Sequence, residues 1–286
     1  MHRRLGVVAA SLAVAGGLVA CGGGGVSRSE FVTKADAACG AGNGLLAIAA
    51  KPSNLPELAT AAGTVATSAD SQAEALRKLE APGDEKVEVS GVIDALAGVG
   101  AQARTLQEAA GKTDDAATAR AANDLRGTTD NAAARAGAYG LAACGQGLKT
   151  PVATVIEGSR TILKAAFVAR AESLCTAANR KADALPSASS LAGVARYLTA
   201  YLPIADKLFA DIKALAVPPG DDTAVAGMLA AQDLALAKEK EAHAAAQRGN
   251  EAQFDRLEVE VVTLVTAANA KFDDYGLRAC GTLSSF

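Results

Sequence analysis

The amino-acid sequence predicts an all-α fold: a tandem repeat of two homologous four-helix bundles, each closed by one disulfide. Three observations carry this. Tyr139-Gly140-Leu141-Ala142-Ala143-Cys144-Gly145 returns as Tyr275-Gly276-Leu277-Arg278-Ala279-Cys280-Gly281, and the stretch from Phe31 to Cys39 returns from Phe167 to Cys175, with one offset of 136 residues at both ends. That period is too long for a solenoid unit, so each copy reads as a domain of its own. Within each copy, apolar residues recur at spacings of three and four between Pro/Gly breaks that fall in register, the pattern of amphipathic helices. Each copy also carries one cysteine near its start and one at its end.

From the N-terminus, Met1-His2-Arg3-Arg4 is basic and Leu5 to Ala20 is apolar, which reads as a signal peptide over residues 1–20. A spanning helix needs about 20 apolar residues, and this run stops at Leu18-Val19-Ala20-Cys21 before four glycines. Leu-Val-Ala-Cys resembles the lipobox of bacterial lipoproteins. The resemblance implies cleavage before Cys21 and acylation of its thiol, with residues 21–28 as a lipidated, glycine-rich tether. One acyl chain holds a protein only marginally, whereas two give stable anchoring. The expected location is the extracytoplasmic side of the cell membrane, with the lipid on Cys21 as the membrane contact.

Four cysteines remain, Cys39, Cys144, Cys175 and Cys280, an even number in an exported chain. The repeat favours pairing Cys39 with Cys144 and Cys175 with Cys280; the competing pattern joins Cys144 to Cys175 and Cys39 to Cys280. Loss of the leader removes two arginines, taking the net charge from −3 to −5. That balance implies no nucleic-acid partner and no polybasic patch for anionic lipid.

The first copy spans residues 29–146. Ser27-Arg28-Ser29-Glu30 is a capping box opening a helix that is expected to run to about Ala50, with Phe31, Ala35 and Cys39 on one face. Asn54 caps the second helix and Pro82-Gly83 ends it; the third starts near Asp84; Thr113-Asp114 caps the fourth, which runs to Tyr139. Residues 147–158 read as a docked linker, with extension of the following helix as the alternative. The second copy, 159–286, repeats the plan: a helix over about 159–184, a second carrying Pro203 and expected to kink there, a third over about 222–248, and a fourth capped by Asn250. Its last helix has a full apolar stripe, Phe254, Leu257, Val261, Val265, Ala268 and Phe272. The matching stripe of the first copy is mostly Thr and Ala, so the first bundle is expected to be the less stable.

The mature chain has one histidine, His243, and lacks GxSxG, P-loop and GxGxxG contexts. No catalytic, cofactor or metal site is expected. Glu239 and His243, four apart on a helix, are the one acid-base or metal pair on offer, and a solvated face laced with charge pairs is the expected reading. Asp36 and Glu172 stand at equivalent places and read as outward-facing charges, while Tyr139 and Tyr275 read as caps on the core.

The pattern Phe-x-x-x-Ala-Asp/Glu-x-x-Cys at the start and Tyr-Gly-Leu-x-x-Cys-Gly at the end resembles uncharacterised secreted proteins and lipoproteins of actinobacteria. The resemblance covers both copies and implies fold and compartment, not an activity. The functional expectation is a non-catalytic binding or scaffolding lipoprotein of the cell envelope, with an envelope protein as partner. The alternative is a carrier of a small apolar ligand inside a bundle.

Overall fold

A computed structural model of the chain describes residues 25–44, 46 and 50–282. The leader and Cys21 lie outside the described residues. Among the described residues there are eight α-helices and no strand: α1 (Arg28–Asn43), α2 (Leu55–Arg77), α3 (Lys86–Gly111), α4 (Asp115–Tyr139), α5 (Gln146–Asp183), α6 (Leu191–Lys213), α7 (Asp222–Gln247) and α8 (Glu251–Tyr275). Cys39 is bonded to Cys144 and Cys175 to Cys280, each bridge spanning 105 residues with Cα atoms 5.0 Å apart. Closing a loop of that length restricts the unfolded chain by about 4 to 5 kcal/mol in the chain-entropy model.

The helix starts follow the local chemistry. Ser27, Asn54, Asp114, Ser190 and Asn250 each accept a hydrogen bond from the backbone N–H three residues on, satisfying one of the free donors of a first turn. The ends of α4 and α8 are set by Gly140 and Gly276, left-handed at φ 97° and 100°, where a Cβ would be strained. Leu141 and Leu277 then donate back to the carbonyls of Ala136 and Phe272 at 2.9 and 2.8 Å, the bond that closes a Schellman turn.

From those turns the chain runs to its cysteine through contacts made twice. Tyr139 donates to Glu85 at 2.6 Å and Tyr275 to Asp221 at 2.8 Å. Phe31 and Phe167 meet these tyrosines edge-on at 5.8 and 5.7 Å, and Arg28 and Lys164 lie over their rings at 4.8 and 4.4 Å. Asp36 accepts from the N–H groups of Ala142 and Ala143, and Glu172 from that of Ala279. Asn43 and Asn179 donate to the carbonyls of Ala143 and Ala279. The outward-charge reading of Asp36 and Glu172 is therefore corrected: both carboxylates pin the backbone that carries the second cysteine. Tyr139 and Tyr275 are buried at the core ends, as expected.

Two helices differ from expectation at the junction of the copies. α1 stops at Asn43, not Ala50, and α5 starts at Gln146, so residues 147–158 are helical and continuous with the next helix. The alternative reading of that segment, extension of the following helix, is the one observed. The place that α1 leaves is taken by α5, whose Leu148, Val152, Val155 and Ile156 are buried in the first core alongside α2 and α4. Contact is close: a Cβ on Gly158 would stand 2.7 Å from the Pro52 ring. Pro151 sits in the second turn of α5, where the Gly147 carbonyl loses its helical donor, and burial of the flanking stripe holds the helix through it. α6 likewise continues through Pro203.

The first core is thus filled by five helices, and four large side chains of α5 offset the Ala- and Thr-rich stripe of α4. The expected weakness of the first bundle was counted on four helices. The second copy divides into two clusters, one around Phe167, Phe209, Phe272 and the Cys175–Cys280 bridge, the other along α7 and α8 from Ala235 to Val265. If the start of α5 is integral to the first core, Leu148→Ala, at a fully buried position, should cost about 2 to 5 kcal/mol. Urea denaturation of the full chain measures it, and a loss below about 1 kcal/mol would make the segment a surface linker.

Candidate functional site

Comparing the two copies position by position exposes one asymmetry. In the first bundle, α5 packs between α2 and α4, whose buried and partly buried side chains include Leu58, Ala61, Val65 and Ser68 on the one and Ala122, Thr129 and Ala133 on the other. At the places one repeat offset further on, the second bundle offers Val194, Tyr197, Tyr201 and Ile204 from α6, and Glu258, Val265 and Asn269 from α8. α8 packs along α7, and no described helix lies on its other flank as α5 lies on α4. The effect shows in burial. Leu58 and Ser68 are fully buried, whereas their counterparts Val194 and Ile204 are partly buried; Tyr201 and Val265 are buried like Val65 and Thr129, and Val262 is exposed like Arg126.

The inward stripe of α7 runs Val225, Met228, Gln232, Ala235, Leu236, Glu239, Ala242 and Ala246. Two members are polar, and both replace apolar side chains of the first copy: Gln232 stands for Leu96 and Glu239 for Ala103. Glu239 is 1% exposed and Gln232 4%. Glu239 Oε2 and Gln232 Oε1 are enclosed and accept no hydrogen bond, a costly state for a buried acceptor. Seven residues apart, they share one face of α7, the face turned between α6 and α8. Burial alone lifts the Glu239 carboxyl from 4.5 to about 7. Tyr201 and Tyr197, stacked at 5.8 Å, border it from α6; burial first and the Glu239 charge second push both phenols up.

The solvated-face reading of this stretch is corrected for Glu239 and Gln232, though it holds for Asp233, Lys240 and Glu241, which are exposed. Lys238, half-buried, bridges Glu241 and Glu260, and Lys240 pairs with Asp206. His243 does not pair with Glu239; its Nε2 lies 2.9 Å from Thr199 Oγ1. Thr199 spends its hydroxyl hydrogen on the Ala195 carbonyl at 2.7 Å, so His243 is the donor to Thr199. The signal missed in the sequence was available: Glu239 falls in the three-four stripe of α7 and in register with Ala103.

Other features offer less. Among the described residues no group of His, Cys, Asp and Glu is placed to hold a metal ion, and all four described cysteines are disulfide-bonded. A cleft of about 800 Å³ is an open surface groove in the first bundle between α4 and α5, rimmed by Lys51, Arg126, Asp130 and Lys149 and away from Glu239. An apolar cleft of about 220 Å³ lies between α5 and α6, lined by Leu174, Pro203, Ile204 and Leu208. Ile204 and Leu208 replace Ser68 and Gln72, which in the first bundle hold the Gly42 carbonyl and the Gly145 N–H where α5 begins.

No protein-family model matches this chain, and no match was found among curated proteins or solved structures.

The raised Glu239 carboxyl makes stability depend on pH. Between about 4.5 and 7 the folded protein keeps a proton that the unfolded chain has released, so stability present below 4.5 is lost as pH rises through 7. The full window corresponds to about 3 kcal/mol. Urea denaturation at pH 4.5 and pH 8 should therefore show a loss smaller by about that amount in Glu239→Gln than in the parent chain; identical pH profiles would mean that Glu239 is solvated.

Proposed function

We propose that the chain is a lipid-anchored, extracytoplasmic binding module of the cell envelope, with the second bundle as its receiving half and no chemistry of its own. The observation that carries this reading is the apolar surface of the second bundle, where Leu234, Val259 and Val262 are exposed and Val194 and Ile204 are only partly buried, while Leu58 and Ser68 at the places of the last two in the first copy are fully buried. Apolar surface left open beside a formed frame marks binding surfaces. Two disulfides agree with an oxidising compartment, and the Leu-Val-Ala-Cys sequence before the glycine tether supports lipid on Cys21. No described helix is long and apolar enough to cross a membrane, which is consistent with anchoring through Cys21.

The carrier reading is weaker. Ligand pockets usually enclose about 300 to 1,000 Å³, and the apolar cleft beside Pro203 holds about 220 Å³.

Anchoring is tested by Cys21→Ser. The parent chain should partition into the membrane fraction with an acylated Cys21 as its first residue by mass spectrometry. The variant should be recovered in the aqueous fraction or as uncleaved precursor. An unmodified Cys21 in the membrane-bound parent chain would refute the lipoprotein reading.

A further inference from the structure

The second core is cut where the first is continuous. Val99, Leu106, Ala110, Ala121 and Leu125 belong to the single core of the first bundle, and Leu96 and Ala103 lie in that core with them. The counterparts Ala235, Ala242, Ala246, Leu257 and Val261 form a cluster apart from the one around Phe209, Phe272 and the Cys175–Cys280 bridge. α7 passes from one cluster to the other between Met228 and Ala242, and that stretch holds Gln232 and Glu239 at the places of Leu96 and Ala103. Each keeps an enclosed oxygen that accepts no hydrogen bond, so cohesion is lost at the seam between the clusters. The distal cluster is also the weaker of the two. Four of its eight buried members are alanine, which bury little apolar area, and the disulfide belongs to the other cluster.

We infer that the distal half of the second bundle, α7 from Ala235 and α8 as far as Val265, opens as a unit of its own, and that ionisation of Glu239 drives the opening. No cation pairs with that carboxyl. From α6 it meets the phenols of Tyr197 and Tyr201. From α8 the buried neighbours are Val261 and Val265, while Glu258 is partly buried and Glu260 is bridged by Lys238. On α7 itself His243 donates to Thr199. Burial alone acts on the carboxyl, in the direction that keeps its proton, so the closed hairpin holds Glu239 neutral and the open one lets it ionise. Opening lays bare Leu257, Val261 and Val265 beside Val259 and Val262, which are exposed already. The device couples pH to the amount of apolar surface that the second bundle shows. It goes beyond the binding-module reading and does not rest on it.

Hydrogen exchange of the full mature chain with Cys21→Ser, read by mass spectrometry as protection factors at pH 5 and pH 8, tests both parts. Peptides within 235–265 should be about tenfold or more less protected than those around Cys175 and Phe209 at either pH. Their protection should fall by about 50-fold between pH 5 and pH 8. Glu239→Gln should remove that pH dependence, and Glu239→Ala, which installs the first copy's residue, should do the same and stands in if the glutamine variant does not fold. His243→Gln should retain it. Equal protection around the two clusters would make the second bundle one cooperative unit and overturn separate opening. Protection within 235–265 that is the same at both pH values, a pH dependence that survives in the Glu239 variants, or one that His243→Gln abolishes overturns Glu239 as the trigger. None of these outcomes bears on whether Cys21 is acylated, so failure here and failure of the anchored-module reading remain distinguishable.

Discussion

The structure depends on one shared helix. α5 is 38 residues long, about 57 Å at 1.5 Å per residue, and it is the last member of the first bundle before it is the first member of the second. Its buried stripe runs from Leu148 to Ile156 in one core and from Phe167 to Cys175 in the other, with Gly158, Ser159 and Leu163 buried between. A helix can serve two cores only if it neither ends nor bends freely between them. The packing of Gly158 against Pro52 and the pairing of Arg160 with buried Asp221 at 2.6 Å grip it on both sides of the junction. The hydrogen bonds from Tyr275 and Arg160, with Lys164 nearby, overcome the burial penalty on Asp221 and hold its carboxyl below the ordinary range.

Each bundle is then closed by the same device. The bridge between the first helix and the returning chain would alone restrict the unfolded state, but it needs its two cysteines brought together. A carboxylate on the first helix, Asp36 or Glu172, binds the returning backbone, an Asn one turn past the helical cysteine holds its carbonyl, and a buried Tyr hydrogen-bonded to a carboxylate fixes the preceding helix end. These groups occupy equivalent positions in both copies. The chemistry differs in strength: Asp221 is 3% exposed and meets two cations, whereas Glu85 meets Arg28 alone, at 3.4 Å.

Much of this was legible in the residues. Caps at Ser27, Asn54, Asp114 and Asn250, the Gly140 and Gly276 stops and the symmetric disulfides follow from local rules and the repeat. The bounds of α5 do not, because Pro151 argues locally against a helix over 147–158, and the packing of Leu148, Val152, Val155 and Ile156 on α2 and α4 holds that stretch helical. The role of Glu239 was hidden for another reason. A charged residue four before a histidine, among lysines and glutamates, matches the exposed pattern locally, and only its alignment with Ala103 shows that it occupies a core position. The short contacts of Asp36 and Glu172 were equally invisible, since their partners lie more than a hundred residues away.

The offset between repeat and bundle has a further meaning. The sequence repeats every four helices, but the first core closes only with a fifth, borrowed from the copy that follows. Copies joined this way are not interchangeable beads, because each supplies the lid of its predecessor, and growth of such a chain is a handing-on of one unfilled position. Because Leu148, Val152, Val155 and Ile156 complete the first core from the helix that also opens the second copy, the two bundles share one element, and the first cannot be cut away from the second without losing part of its own core.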